Sequence, residues 1–390
     1  MNLSMKNMPL NILLVTESNS WVDTHIGVSL MAMNHVVHRF YYGTSICEFY
    51  GNKRRTERAG KNISLLEKVK QLQRAHPLDL IFFYAFDDLL IPRYMRSLSM
   101  LNVPMVIYTV DMACQWYRLI RTAKYFSYIL CAQPENMDYL KKYNPNVILF
   151  PMAARPSSLM KHKETHFQPH APTTFLGTPT PYRKRMLSAL VKTSIPLAIY
   201  GKYWQTKQLA IRSRKLEKTI HDLWYYGLAR LKNEGIAPLF ETLKQRCFAK
   251  YSNQTEHLPE QIIHEFLPDQ AMNSLFQHSK INLGFTKMIG DYPDQRGISQ
   301  MRLRDFEVPY AGGFYLVEEA PGYEHFFKPG SEVVTWKTTN DLIDKIHYYL
   351  KHDTEREAIA RAGQKRAITE HTWAHRFNML FQTLGLLKQP

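Results

Sequence analysis

The chain has few cysteines, no long apolar run and a shortage of acid. Its four cysteines, Cys47, Cys114, Cys131 and Cys247, lie far apart among 390 residues. No C-x-x-C occurs, which argues against a zinc ribbon and a dithiol redox centre and makes reduced thiols the expectation. No apolar run approaches the roughly 20 residues that a bilayer span needs. The first fifteen residues hold one lysine, Lys6, and a short apolar run that soon meets Glu17, a poor secretory signal. A soluble, cytoplasmic protein is expected, with attachment to an anionic membrane face left open. The shortage of acid is large: 50 Lys and Arg against 34 Asp and Glu give a net charge of +16. That balance favours nucleic acid, acidic membranes or phosphorylated substrates without choosing among them.

Two site motifs are also missing. The loop after the first apolar run lacks G-x-G-x-x-G, so there is no fingerprint for a nicotinamide or flavin cofactor. Asp291 and Asp294 stand three apart, so an Asp-x-Asp for a metal-dependent sugar-nucleotide site is absent. His162, His166 and His170 have no carboxylate or cysteine in register and do not suggest a metal.

What is present is an alternation of short apolar runs with helical patterns. Runs at 11–15, 36–42, 78–84, 103–110, 128–132 and 147–150 read as six strands, with helices at 27–34, 65–72, 92–101 and 134–143. Strands alternating with helices imply a parallel sheet covered on both faces. Lys53, Arg54, Arg55, Arg58 and Lys61 form a basic cluster, read first as a solvated face. Asp111 follows the fourth run, and ligands gather at the carboxyl ends of such strands. It is a candidate for acceptor binding or base work, or else a helix N-cap. Residues 154–172 carry Pro, His, Ser and Lys without periodicity and read as a linker.

The pattern then restarts. Residues 173–177 are a strand ending in Gly177, and Arg183 stands at the following helix start, where an anion would lie. Residues 205–251 interrupt with basic amphipathic helices: Lys202 to Lys250 contains 11 Lys and Arg against four Asp and Glu. They suit an anionic membrane, an acidic acceptor, or packing on their own domain. Gly297 and Ser299 lead into a helical pattern carrying Arg302, Arg304 and Glu307, stopped by Gly312 and Gly313 before a strand at 314–317. Amides at a helix start attract anions, Arg304 suits bidentate phosphate binding, and Glu307 can accept from sugar hydroxyls. On that helix Arg302 would point about 160° away from Arg304.

Five pieces occur in order: Phe175-Leu-Gly-Thr with Tyr182-Arg183, Ile199-Tyr-Gly-Lys-Tyr-Trp204, Ser279-Lys-Ile-Asn-Leu283, Arg304-Asp-Phe-Glu-Val-Pro-Tyr-Ala-Gly-Gly-Phe314 and Glu370-His-Thr-Trp-Ala-His-Arg376. The series resembles the group 1-type glycosyltransferases that include the CgeB-like spore maturation proteins. The resemblance implies the α/β GT-B fold: two Rossmann-like, doubly wound domains facing a central cleft. The acceptor domain would be 1–153 and the linker 154–172. A nucleotide-sugar domain would be 173–371, with the helical insertion at 205–251. Residues 372–390 would be a final helix crossing back to the first domain. It implies no cofactor and no metal. The donor would be a nucleotide-diphosphate sugar, held by Gly177, Arg183, Gly297, Ser299, Arg304, Glu307, Gly312 and Gly313. Glu17, Asp23 and His25 are the acceptor-side candidates, and Asp111, Arg183 and Arg304 the catalytic ones. The acceptor, a glycan, lipid or protein, is open, with cell-surface glycan biosynthesis as the expected setting. Ser299 stands where related retaining enzymes carry a glutamate, which leaves donor sugar and stereochemistry open. A nucleotide-sugar epimerase and a basic nucleic-acid-binding protein are the rival readings.

Overall fold

Short apolar runs, too brief for stable helices, become strands, and the central ones are buried on both faces. The structure, a computed structural model, describes residues 8–18, 20–43, 52–112, 118–156, 167–204, 258–289 and 298–387. The described residues up to Pro151, together with those from Trp373 onward, form one unit; those between Met152 and Thr372 form a second.

In the first unit β1 (Asn11–Thr16), β2 (Val36–Tyr41), β3 (Leu80–Phe83), β4 (Met105–Thr109), β5 (Tyr128–Cys131) and β6 (Val147–Leu149) make one sheet in the order β2-β1-β3-β4-β5-β6. Every pairing is parallel. All residues of β3 and β4 are buried, as a sheet covered on both faces requires. All six expected strands are present. The helix expected at 65–72 is longer, Asn52–Ala75, because its mixed polar first half shows no clean apolar stripe.

The helix Trp373–Thr383 packs in this unit, far from its own strands in sequence. Trp373 and Phe377 are fully buried. The Phe377 ring lies 5.8 Å from Phe82 and 5.5 Å from Phe150, and the Arg376 Nε donates to the Pro151 carbonyl at 3.3 Å.

The second unit repeats the plan. Its strands β7 (Thr173–Leu176), β8 (Leu197–Tyr200), β9 (Ile263–His264), β10 (Ile281–Gly284), β13 (Tyr315–Glu318) and β14 (Val334–Trp336) run in the order β14-β13-β10-β7-β8-β9. The period of two decides the faces. Leu197, Ile199 and Leu316 enter one core with Leu187 and Ile346, while Ala198, Tyr200, Tyr315 and Val317 enter the other with Leu275 and Phe306.

Of the stretch expected to be a linker, the described residues are fastened to this unit. Arg155 pairs with Asp269 at 2.7 Å, the Phe167 amide donates to Ser274 Oγ at 2.9 Å, and His170 Nδ1 lies 2.8 Å from the Tyr200 hydroxyl. Proline and lysine erased the periodicity without removing these anchors.

One expected helix start is corrected. Ile298–Ser299 form a short strand, β12, antiparallel to β11 (Lys287–Ile289), and the helix begins only at Arg304. Ser299 therefore belongs to a hairpin and gives no helix-start amide; Gly297 and the insertion at 205–251 lie outside the described residues. The stop is as expected in kind. Gly312 caps the helix in the left-handed region at φ +84. A Cβ on Gly313 would stand 2.5 Å from the Phe276 carbonyl oxygen, so only glycine lets those segments touch.

If the C-terminal helix holds the first unit together, Phe377→Ala should lower that unit's stability by about 3–5 kcal/mol. Urea denaturation followed by near-UV circular dichroism measures it; a loss under about 1 kcal/mol would contradict the packing.

Candidate functional site

The two sheets each reverse their winding once. In the second unit the reversal falls between β7 and β10, and ligands of such sheets bind beyond the carboxyl ends of strands at that point. Arg183 follows β7. Thr180, in extended conformation, caps the helix Pro181–Lys192 by accepting from the Arg183 amide at 3.1 Å. The side chain turns back, so that Nη1 donates to the Thr178 carbonyl at 2.8 Å and the guanidinium lies 5.4 Å from the Phe175 ring centre. Arg183 keeps 6% of its surface, and its Nε has no hydrogen-bond partner among the described residues. Burial, then the neighbouring Arg302 charge, pushes its pKa down to about 10.

Gly177 supports this placement through its backbone. Its amide donates to the Tyr200 carbonyl at 2.9 Å, and its carbonyl accepts from Trp204 Nε1 at 2.7 Å. A Cβ there would come within 2.8 Å of Phe175 Cζ and 3.3 Å of Arg183 Nη1.

Lys287 follows β10 and is buried. Its amide and that of Thr286 donate to Glu318 Oε2 at 2.9 and 3.0 Å, while the Tyr182 hydroxyl donates to Oε1 at 2.5 Å. Arg302 precedes the helix Arg304–Ala311 and is not on it, so the helical angle from Arg304 does not apply. Its Nη2 reaches the Lys287 carbonyl at 3.4 Å, its Nε has no hydrogen-bond partner among the described residues, and its amide donates to Asp305 Oδ2 at 2.5 Å. Asp305 is 1% exposed, and the Tyr323 hydroxyl donates to its Oδ1 at 3.2 Å. Burial raises its pKa to about 6.

Arg304 opens the helix and pairs with Glu307 one turn on. It lies 5.7 Å over Phe276, and burial pushes its pKa down to about 10. Tyr315 is within electrostatic reach of Arg183, Arg304 and Asp305 together. The structure thus gathers Arg183, Arg302 and Arg304 around Tyr315 and Asp305, with Lys287 beside Arg302.

In the first unit the expected residues divide. Asp23 accepts from Arg39 Nε at 2.7 Å and from the Tyr41 hydroxyl at 2.6 Å. It staples a π-helical turn, Asp23–Gly27, to β2, and that task sets it apart from the other acceptor candidates. His25 is buried, its ring edge-on to Trp21 at 6.2 Å. Glu17 and Asp111 both lie within electrostatic reach of the Tyr84 phenol, whose pKa burial raises to about 12.

The family described as glycosyl transferase-like matches residues 183–382, just over half of the chain. This chain belongs to that glycosyl transferase-like family. None of the curated proteins compared with it matches. Among solved structures it is similar to a sucrose-phosphate synthase from Thermosynechococcus elongatus, at 12% identity and TM-score 0.56 over 96% of this chain and 99% of that one. It is similar to Anabaena HepE, solved with UDP and glucose, at 11% and 0.53 over 97% and 100%. A Rickettsia africae glycosyltransferase gives 10% and 0.53 over 98% and 100%. At such identities the likeness shows the fold, which is GT-B.

Of the residues gathered in this candidate site, sequence reasoning missed Lys287, Glu318 and Asp305. Glu318 is the last residue of the parallel strand β13 and Lys287 comes three residues after the end of β10, positions whose signal was available. Asp305 sits beside Arg304, and nothing in its place along the chain marks it as buried.

The folded chain binds the Asp305 proton more tightly than the unfolded chain does, since its pKa rises from 3.8 to about 6. Its burial penalty is absent below about pH 4, grows through pH 6 and is full above it. Relative to wild type, Asp305→Asn should therefore gain stability as pH rises across that window, by on the order of 2–3 kcal/mol. Asp87, also raised to about 6 by burial, is common to both chains and cancels. Parallel denaturation curves at pH 4 and 7 check it, and a pH-independent difference would count against the buried, ionising Asp305.

Proposed function

We propose that this glycosyl transferase moves a sugar from a nucleotide-diphosphate sugar, bound by the second unit, to an acceptor bound by the first. Within the family, the Arg304-to-Phe314 series and Tyr182-Arg183 favour the CgeB-like branch. The observation that carries the reading is the buried Arg183 guanidinium with an unmet Nε, beside Arg302 and beyond the carboxyl ends of β7 and β10. Buried cations with spare donors are costly unless an anion completes them.

In the reaction the bond from the anomeric carbon to the diphosphate breaks and one to the acceptor oxygen forms. Negative charge builds on the departing phosphate. Arg183 and Arg302 supply fixed donors for that charge, an electrostatic preorganisation that needs no metal. An inverting course sends the acceptor proton to a carboxylate, with Asp111 the candidate; a retaining course sends it to the leaving phosphate. Glu307 is assigned the nucleotide ribose. The charge of +16 suits work beside an anionic membrane on the cytoplasmic side, in the building of surface glycans.

UDP or GDP at 100 times its Kd should stabilise the wild-type protein by about 2.7 kcal/mol. A thermal-shift screen would show this as a raised Tm, absent in Arg183→Ala. Turnover by that variant should fall about 10²–10³-fold. Arg183→Lys should recover little, because an ammonium lacks the guanidinium fork. A wild-type protein indifferent to every nucleoside diphosphate would sink the reading.

A further inference from the structure

The first sheet also reverses once, between β1 and β3. Its carboxyl-end crevice is therefore where a ligand of this unit is expected. Glu17 and Trp21 follow β1, Tyr84 follows β3, Asp111 follows β4 and Gln133 follows β5. The register pairs Val15 with Phe83 and Thr109 with Cys131, so these ends lie level with one another.

Three features stand together there. The first is aromatic. The half-buried Trp21 lies 5.6 Å from Tyr84 and 6.3 Å from both Tyr108 and Trp373. The second is acidic: Glu17 and Asp111 both act electrostatically on Tyr84. The third is a set of unmet polar atoms. Tyr108 Oη, Trp373 Nε1 and both side-chain polar atoms of Gln133 have no hydrogen-bond partner among the described residues, and these three residues are 1% exposed or less. Buried polar atoms without partners are rare enough to need an explanation, and a ligand is one.

The chemistry separates candidate ligands. Two cations do come near, Arg118 beside Tyr84 and Arg376 beside Tyr108. Arg118 is already paired with Asp88 at 2.9 Å and stacked on Phe86, and Arg376 donates to the Pro151 carbonyl, so a phosphate is a poorer match than a neutral polar ring. Among the described residues, the large apolar side chains left exposed in this unit, such as Met31, Val36, Ile63 and Met100, do not follow the carboxyl ends of β1, β3, β4 or β5, so they lay no track there for an acyl chain. A sugar ring suits all three features. Its C–H face stacks on an indole, its hydroxyls donate to carboxylates, and its oxygens take up amide, phenol and indole donors.

We infer that the acceptor is a carbohydrate, its ring held at the reversal of the first sheet by Trp21 and Tyr84, with Glu17 and Asp111 taking its hydroxyls. This rests on the glycosyl-transfer reading above and supplies its acceptor class. Trp21 is the specificity-determining residue.

The test is saturation-transfer NMR on the full chain, with methyl glycosides of glucose, galactose, mannose and N-acetylglucosamine as probes. UDP and GDP thermal shifts run in parallel. At least one glycoside should give a signal in wild type. Trp21→Ala should weaken its binding at least tenfold and leave the nucleotide shift unchanged, which also certifies folding. Trp21→Phe should keep most of the binding. No glycoside signal while the nucleotide shift stands overturns this inference alone, as does a signal unchanged in Trp21→Ala. A signal only from dioctanoylglycerol overturns it in favour of a lipid. Loss of the nucleotide shift in wild type overturns the glycosyl-transfer reading and this inference with it.

Discussion

A guanidinium buried to within 6% of its surface, beside a second one, is the condition that the second unit's architecture has to satisfy. Water would solvate Arg183 better than Phe175 and one carbonyl do. The fold compensates only in part. The Thr178 carbonyl takes Nη1, the Phe175 ring covers the plane, and Tyr315, Glu318 and Asp305 favour its charge from nearby. Nε is left over, and Arg302 opposes. A structure selected for stability alone would have little reason to keep that arrangement. A binding site for polyanions would, because charge held in place before the ligand arrives needs no reorganisation when it does.

The placement of that charge follows from topology. Each sheet is built from one strand that pairs outward in both directions, β1 in the first unit and β7 in the second. Loops leaving such a strand and its non-sequential neighbour diverge and open a crevice. In the second unit the crevice collects cations: Arg183 after β7 and Lys287 after β10. In the first it collects Glu17, Trp21 and Tyr84. Two copies of one architectural idea thus carry different chemistry, buried guanidinium groups foremost in one and aromatic rings in the other, and the difference lies in a handful of loop residues.

The strands and their order of appearance were legible because buried parallel strands are short, apolar and separated by helical patterns. Arg183, Arg304 and Gly177 were legible for the same reason, as each sits at a predictable strand or helix end. The segment around Ser299 was misread. Ile298 and Ser299 pair with Lys287 and Ile289, a contact that periodicity within either segment cannot reveal. That error moved the helix start by several residues and gave Arg302 a false angle. Asp23, named as an acceptor-side candidate, has structural partners that its own segment could not reveal. Its partners Arg39 and Tyr41 lie on the next strand. Gly312 and Gly313 were named for the ligand, yet their geometry is explained by a helix cap and by the approach of Phe276.

Arg304 and Glu307 complete the division of labour under the proposed activity. Because the two are paired, Arg304 is less available to a phosphate than Arg183 or Arg302, each of which keeps an unmet Nε. The pairing does not disqualify Glu307. A carboxylate offers about four lone-pair directions, so it can hold a guanidinium and still accept from two hydroxyls. Arg304 then acts on the ribose side by fixing the carboxylate's rotamer, while the diphosphate falls to the arginines nearer β7. Asp305 links the two halves. It ties down the Arg302 amide from inside the same helix turn that carries Arg304, so a shift of either arginine would drag the other.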